Sequence, residues 1–468
     1  MRIILSVLMF VVLVLWIGTL YFSNKKKFRM VEYNRKQYYL LSQNMYFVIL
    51  TVCTAPIFLS SLSLLKYGLW LVVILWLLFS NKVRMVMEPT MVMYLIFFLW
   101  LVFATTYSSV PRDAFMMLVK YALPLCFLWL GYSAINNDKD LIVFLKVINA
   151  AACIYCIFIG GQGFKLMPWL YFSALGAQFA TYAPFANYLT ALFIAPIILY
   201  WLTQDKKYIF CALWMILSTV LESVRTGMGG MVLVFTFAMF LRYKSRSIPG
   251  ILFAGAVFIG TILFVPSVNK KFYGDRGDEV TATDIVRGNA LSLDNIDTNG
   301  RDALWEFVLD RFYDGHELCG SGLGVAGRYI KDLWIKKESG VAVMHNDYVQ
   351  LLAETGLVGV SLLVLFYIFV IVKVMQYVVL QRSGYLVRLT GIMALSSMAG
   401  IAFSMYFDNV VSNSMQAMII PYIYLGFFLK MVDKEKQEKV ALELARFRKE
   451  EEIGSEDAVS VERITDNV

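Results

Sequence analysis

Long apolar blocks separated by short polar segments run through most of the chain. The blocks carry almost no charge, and each approaches, with its uncharged polar flanks, the roughly 20 residues that an α-helix needs to cross a bilayer. They cover residues 3–21, 91–104, 141–160, 185–202, 251–265, 357–372 and 415–429. A transmembrane β-barrel would show short segments of alternating hydrophobicity instead. The pattern predicts an all-α fold, a polytopic bundle of transmembrane helices.

Composition and charge placement extend this prediction. The 468 residues are 59% hydrophobic and only 16% charged, and the formal net charge is +8. Soluble domains are about half apolar and a quarter charged, so an ordinary soluble protein is excluded. The basic clusters lie between apolar blocks, and basic residues favour the cytoplasmic side of short loops. This threading predicts about 12–13 spans with the C-terminus in the cytoplasm. We expect the bilayer, and no nucleic acid, as a partner.

One connection is much longer than the others. On this threading it is extracytoplasmic, and a long loop in a compact membrane protein usually carries function. The predicted organisation is N-terminal transmembrane helices (1–265), a large extracytoplasmic loop (266–354), C-terminal transmembrane helices (355–430), and a cytoplasmic charged helix with a disordered tail (431–468).

Two segments of the long loop have recognisable patterns. Residues 301–312 (RDALWEFVLDRF) place an apolar stripe opposite an acidic face, which predicts an amphipathic helix lying on the membrane surface. Residues 318–327 (LCGSGLGVAG) are rich in glycine. Gly322 and Gly324 would let the backbone approach a ligand closely, although a plain turn explains the glycines equally well.

His345 is one of two histidines, with His316, and it opens the segment HNDYVQLLAETG. This segment predicts a helix with a polar face, which continues into an apolar span. The positive end of a helix favours anions, so the position suits a general base beside an anionic leaving group. A capping or hydrogen-bonded surface histidine is the alternative.

Two arginines are candidates for binding phosphate, because a guanidinium binds phosphate oxygens in pairs and stays charged. Arg225 lies between two predicted spans, where a charge is costly and usually functional. Glu222, three residues earlier, offers a structural ion pair as the alternative. Arg301 lies in the first turn of the amphipathic helix, where Trp305 could support its stem; a solvated surface arginine is the alternative.

Four motifs together resemble the O-antigen ligase and Wzy-type polysaccharide polymerase superfamily. They are SVRTG (223–227), GRDALW (300–305), GSGLG (320–324) and HNDYVQLLAETGLVG (345–359), of which the last is the most specific. The resemblance covers the second half of the chain, whereas the first half matches only in its hydropathy pattern.

The resemblance implies a metal-independent, inverting glycosyltransferase without a cofactor. Its donor would be an undecaprenyl-pyrophosphate-linked glycan at the outer leaflet of a bacterial cytoplasmic membrane. His345, Arg225 and Arg301 would be catalytic, and Gly322, Gly324, Asn346 and Tyr348 would join the arginines in binding substrate. Glu222, Trp305 and Glu354 would support them.

Several functions remain open from the sequence. A polymerase would use a second lipid-linked glycan as acceptor and a chain-length regulator as a further partner. A ligase would transfer the glycan to lipid A core or another acceptor. A peptidoglycan polymerase is a weaker alternative. A flippase for lipid-linked oligosaccharide belongs to another class. Transporters usually carry intramembrane charges and related halves, whereas acidic residues are scarce within these spans and no internal repeat is evident. A scaffold would leave the segment after His345 unexplained.

Overall fold

The computed structural model describes residues 28–33, 36–54, 63–80, 82–163, 182–273, 300–337, 343–381 and 383–465. The apolar block 3–21 lies outside the described residues, as does most of the polar segment 273–300 that opens the long loop.

The described chain is almost entirely helical. A short antiparallel hairpin, β1 (Phe28–Tyr33) and β2 (Lys36–Leu41), precedes the helices. The helices are α1 (Gln43–Thr54), α2 (Ser63–Phe79), α3 (Pro89–Thr106), α4 (Pro111–Ala134), α5 (Asp138–Gly163), α6 (Tyr182–Leu192), α7 (Ile194–Thr203), α8 (Lys207–Leu221), α9 (Arg225–Tyr243), α10 (Ile248–Phe264), α11 (Pro266–Tyr273), α12 (Arg301–Phe312), α13 (Val325–Ile335), α14 (Asp347–Met375), α15 (Tyr385–Phe407), α16 (Val410–Asn413) and α17 (Met415–Thr465).

Most of the apolar blocks in the described chain lie in helices of membrane-spanning length and composition. In the part of the chain that the structure describes, seven helical segments are long and apolar enough to cross a membrane, and two more are apolar but shorter. One of the seven, Arg225–Phe264, contains both α9 and α10. The predicted all-α, polytopic membrane fold is therefore confirmed, with the β-hairpin as an unpredicted addition. The predicted number of about 12–13 spans stays a prediction.

The buried part of α17 forms the centre of the bundle, packed against α4 and α15. Glycines allow α17 and α4 to pack closely against each other. A Cβ atom on Gly131 would lie 2.5 Å from the Ile423 carbonyl oxygen, and one on Gly426 would lie 2.3 Å from the Leu128 carbonyl oxygen. Because lipid tails are as apolar as leucine side chains, helices in a membrane associate mainly through such close packing.

Helix α14 is interrupted once, at Gly356, whose φ of 67° and ψ of −171° are not helical. The segment 317–323 pairs with the backbone groups that this break releases. Leu357 N–H donates to the Glu317 carbonyl, and Gly322 N–H donates to the Glu354 carbonyl. Non-helical backbone is tolerated at membrane depth only when its polar groups are paired inside the protein. The Gly-rich segment therefore supplies the hydrogen-bond partners that the break in this span would otherwise lack.

The long loop contains the predicted amphipathic helix and two further short ones. Helix α12 has the predicted bounds, α13 follows the Gly-rich segment, and α11 opens the loop. The predicted boundary between 354 and 355 falls inside α14, and the boundary between 430 and 431 falls inside α17.

Candidate functional site

His345 lies immediately before the cap of α14, at the end of the bundle where α15 finishes. Its backbone is left-handed, with φ of 55°, and its N–H donates to the Asn409 side-chain oxygen at 2.5 Å. Its Nδ1 lies 3.4 Å from Asp408 Oδ1. The imidazole is partly exposed, whereas the Asp408 carboxylate is buried. A buried carboxylate thus lies beside one ring nitrogen of a partly exposed histidine.

Asp408 is itself fixed by neighbouring amides. Asn409 N–H donates to Asp408 Oδ1 at 2.9 Å, and Asn187 Nδ2 donates to Oδ2 at 2.9 Å. The Asn409 side chain also donates to Gln350 at 3.0 Å, which ties the segment to α14. Buried polar groups paired in this way lock a single geometry. Asp408 is therefore held in place independently of the histidine.

Arg301 contacts the same segment from the other side. Its Nη1 donates to the Phe407 carbonyl oxygen at 2.8 Å, one residue before Asp408. Trp305, one turn along α12, donates from its indole N–H to the Met344 carbonyl at 2.8 Å, one residue before His345. The structure therefore brings Arg301 and His345 together through residues 407–409. Trp305 contacts the residue before His345, and its support of the Arg301 stem stays a prediction.

Arg225 begins α9, which packs along α15. A Cβ atom on Gly229, one turn further along α9, would lie 2.7 Å from the Phe403 ring, and that ring lies 5.0 Å from the Phe407 ring. Because α9 starts where α15 ends, Arg225 lies at the same end of the bundle as the other two predicted residues. The Phe272 ring, on α11, lies 5.8 Å from the Arg225 guanidinium carbon.

Glu222 lies next to the turn that precedes Arg225. The chain turns at Ser223, with φ of 51°, so Glu222 ends α8 while Arg225 starts α9, and the two do not share a helix face. Glu222 is buried, and its Oε1 accepts no hydrogen bond from the residues that the structure describes. Burial raises the pKa of this carboxyl to about 7, against the opposing positive charge of Lys271.

The glycines predicted to approach a ligand approach the protein instead. A Cβ atom on Gly322 would lie 2.7 Å from Ser108 Cα, and one on Gly324 would lie 2.8 Å from Ala114 N. Glu354 accepts hydrogen bonds from Gly324 N–H at 2.8 Å and from Gly327 N–H at 3.0 Å. These contacts favour the plain structural turn over a substrate loop, and the supporting role of Glu354 at the catalytic site stays a prediction.

Asn346 and Tyr348 are also engaged by the protein. The Asn346 side chain caps α14 by accepting from the N–H groups of Tyr348 at 2.9 Å and Val349 at 3.0 Å. The Tyr348 hydroxyl donates to the Ala402 carbonyl at 3.0 Å. Neither side chain needs a substrate to satisfy it, so their predicted contact with substrate stays a prediction.

The assembled groups can perform proton transfer beside an anion. In the tautomer that carries its proton on Nδ1, His345 donates to Asp408 and Nε2 is a proton acceptor. Arg301 and Arg225 supply fixed positive charge at the same end of the bundle. Among the described residues, no group of three or more His, Cys, Asp or Glu side chains lies close enough to hold a metal ion.

Sequence reasoning did not assign roles to Asp408, Asn409 and Asn187. The pair Asp408–Asn409 follows an apolar span directly, and an acid at the end of a span carried some signal. Asn187 lies within an apolar block, and only the packing of α6 against residues 408–414 reveals its role.

Comparison with known families gives one match. Residues 210–364 match the O-antigen ligase family model. The match runs from α8 into α14 and includes Arg225, Arg301 and His345, and it confirms the predicted resemblance to the O-antigen ligase and Wzy-type superfamily. The comparison with curated proteins found no match.

Proposed function

We propose that this multi-pass bacterial membrane protein is a glycosyltransferase, because residues 210–364 match the O-antigen ligase family model. It polymerises undecaprenyl-pyrophosphate-linked oligosaccharide repeat units, as in O-antigen, capsule or exopolysaccharide. The observation that carries the proposal is the meeting of His345 and Arg301 on residues 407–409. A histidine oriented by a buried carboxylate, next to an arginine, suits attack by a hydroxyl on a phosphate-activated sugar.

In the proposed reaction, a sugar hydroxyl of the acceptor attacks the anomeric carbon of the donor. The new carbon–oxygen bond forms on the face opposite the diphosphate, so the configuration inverts. The bond between the anomeric carbon and the diphosphate oxygen breaks, and that oxygen keeps the electron pair. His345 Nε2 takes the hydroxyl proton, and Asp408 stabilises the resulting imidazolium.

The arginines stabilise the leaving group. Negative charge grows on the diphosphate oxygen as its bond to the sugar breaks, and Arg225 and Arg301 would lie beside it. Preorganised positive groups aimed at developing charge are worth about a hundredfold in rate or more each. Neutralised in this way, the lipid diphosphate leaves without protonation by a separate acid.

The ligase remains the second candidate, since the matched family is named for it. It would run the same chemistry with lipid A core or another acceptor. A flippase for lipid-linked oligosaccharide is the candidate from another class. In either enzymatic case we place the site at the extracytoplasmic face of the cytoplasmic membrane, where a lipid-linked donor and a glycan acceptor meet.

The test is transfer of a lipid-linked glycan by the purified protein in detergent or vesicles. His345→Ala, Arg225→Ala and Arg301→Ala are each compared with the wild type. His316→Ala and Arg311→Ala are matched controls, since both residues are exposed. We expect the three site variants to lose about a hundredfold or more in rate and the controls to keep it.

Product size separates the candidates. A ladder of repeats supports the polymerase, and a single transfer to lipid A core supports the ligase. Movement of intact lipid-linked glycan across vesicles without bond formation would support the flippase. Full activity in all three site variants would overturn the enzymatic proposal.

A further inference from the structure

The single-turn helix α16 lies beside the candidate site and is held there by side chains of other helices. It covers only Val410–Asn413 and begins two residues after Asp408. A helix of one turn leaves most of its N–H and C=O groups without partners inside the helix. The groups that bind this backbone therefore determine where α16 lies, and with it the segment that carries Asp408.

The start of α16 is bound by Asp347. Asp347 Oδ2 accepts a hydrogen bond from Val411 N–H at 3.1 Å. The Asp347 side chain is buried, and the residue opens α14 two positions after His345. This contact fixes the start of α16 relative to the helix that follows the histidine.

The end of α16 is bound by Lys120, a residue of α4 to which the sequence analysis assigned no role. Lys120 Nζ donates to the Ser412 carbonyl oxygen at 3.0 Å. Met117 lies one turn earlier on the same face of α4, and its sulfur accepts from the Ser412 hydroxyl at 3.7 Å. Two side chains of α4 thus contact the same residue of α16.

Lysine is an expensive choice for this position. Lys120 is partly buried and lies within a helix that is long and apolar enough to cross a membrane. A charged residue in such a helix is costly and usually has a function. A leucine or methionine would pack against α16 at lower cost, but neither could donate to its carbonyl. The hydrogen bond to Ser412 is therefore the property that distinguishes lysine here.

A shift of α16 would reach the catalytic carboxylate. The Asn187 amide donates both to Asp408 Oδ2 at 2.9 Å and to Ser414 Oγ at 3.1 Å, so it bridges the residues on the two sides of α16. Asp408 Oδ1 lies 3.4 Å from His345 Nδ1, which leaves little room for displacement. A misplacement of about 1 Å at a reacting group can cost roughly a hundredfold in rate.

We propose that Lys120 is a positioning residue for the transfer reaction: it holds α16 in place, and through α16 it keeps Asp408 beside His345. The proposal rests on the proposed function for the reaction that this geometry serves. Lys120 acts through Asp408 and takes no part in proton transfer itself.

The test uses three substitutions of Lys120 and one control. Lys120→Met keeps the length of the side chain and removes the donor, whereas Lys120→Arg keeps a cationic donor. Lys120→Gln carries a donor that falls one bond short of the Ser412 carbonyl, and it replaces Lys120→Met if that variant does not fold. Lys434→Met is the matched control, because Lys434 Nζ also donates to a backbone carbonyl, that of Asn136 at 3.1 Å, in the charged part of α17.

Steady-state transfer of lipid-linked glycan is measured with the purified full-length protein, and melting temperatures in detergent show which variants fold. We expect Lys120→Met to lower kcat about tenfold or more, as for loss of one charged hydrogen bond, with donor KM close to that of the wild type. Lys120→Arg should keep most of the activity, and Lys434→Met should keep all of it. A wild-type kcat in Lys120→Met overturns the proposal.

A double-mutant cycle shows whether Lys120 acts through Asp408. Residues that act as one unit give losses that do not add. We therefore expect Lys120→Met to lower kcat no further in a protein that already carries Asp408→Asn. An equal loss in both backgrounds overturns the proposal, because Lys120 would then act independently of the carboxylate.

The reactivity of the two histidines separates this inference from the proposed function. Acylation by diethyl pyrocarbonate is followed for His345 and His316 by mass spectrometry of the full-length protein. We expect Lys120→Met and Asp408→Asn to slow the reaction of His345 alike and to leave that of His316 unchanged. If the wild type transfers no glycan, the proposed function fails, and this readout still decides the placement of Asp408. If Asp408→Asn slows His345 and Lys120→Met does not, the inference fails and the proposed function stands.

Discussion

Replacing Glu354 by glutamine tests whether the Gly-rich segment is fastened to α14 by this carboxylate. Glu354 is 1% exposed and accepts from Gly324 N–H, Gly327 N–H and Gln350 Nε2 at 2.8–3.0 Å. The Gln350 side-chain oxygen already accepts from Asn409, so Gln350 cannot reverse its amide without losing that bond.

A glutamine amide can reproduce only part of this arrangement. Its oxygen can replace Oε1 and keep two of the bonds, but its NH₂ group then faces the Gly324 N–H. One hydrogen bond to a charged acceptor is lost and one buried donor is left unpaired. Relief from burying a charge offsets part of this cost. We expect the free energy of unfolding to fall by about 2–4 kcal/mol.

The measurement is thermal or denaturant unfolding in detergent, with amide hydrogen exchange to locate the change. Glu317→Gln is the matched control, because the Glu317 carboxylate also accepts a backbone N–H, from Gly315 at 3.0 Å, but is exposed. We expect this control to change stability by less than about 0.5 kcal/mol. Faster exchange in Glu354→Gln should be concentrated in 318–330. Equal stability of the two variants would refute the assigned role of the Glu354 carboxylate.

Three further predictions follow from individual contacts. Asp408→Asn should lower kcat roughly a hundredfold with little change in donor KM, because an amide orients the His345 ring less well than a carboxylate and does not stabilise its imidazolium form. Steady-state kinetics of glycan transfer check this, and an unchanged kcat would contradict it. Gly356→Ala should destabilise the protein by at least about 3 kcal/mol in an unfolding assay, because φ is 67° and the new Cβ would lie 2.3 Å from the Leu318 carbonyl. Glu222→Gln should be more stable than the wild type above about pH 7 and equal to it below about pH 4.5, since the folded protein holds the Glu222 proton to higher pH than the unfolded chain and loses stability as the pH rises between these values. Melting temperatures at about pH 5 and about pH 8.5 check the last prediction, and a pH-independent difference would count against it.

Part of the candidate site could be read from local pattern. His345 precedes a helix with a polar face, and Arg301 stands at the start of an amphipathic one, so both could be recognised from residue type and position. The sequence pattern placed Glu222 and Arg225 on one helix face, but periodicity does not register a chain reversal at Ser223, where a single left-handed residue separates two helices. The sequence also could not show what lies against Gly322 and Gly324. A glycine pattern indicates that a group approaches the backbone closely, but it does not identify that group.

The sequence by itself determined that this is a helical membrane protein, because each span must be apolar over its own length and must satisfy its own backbone hydrogen bonds. Each of these requirements concerns only the consecutive residues of one helix. Only the tertiary structure decided which polar groups meet. Asp408 and His345 are 63 residues apart, Asn187 and Asp408 are 221 apart, and Lys271 reaches the turn at Glu222 across 49. Such contacts depend on which helix ends pack side by side, and no period in the chain encodes that choice.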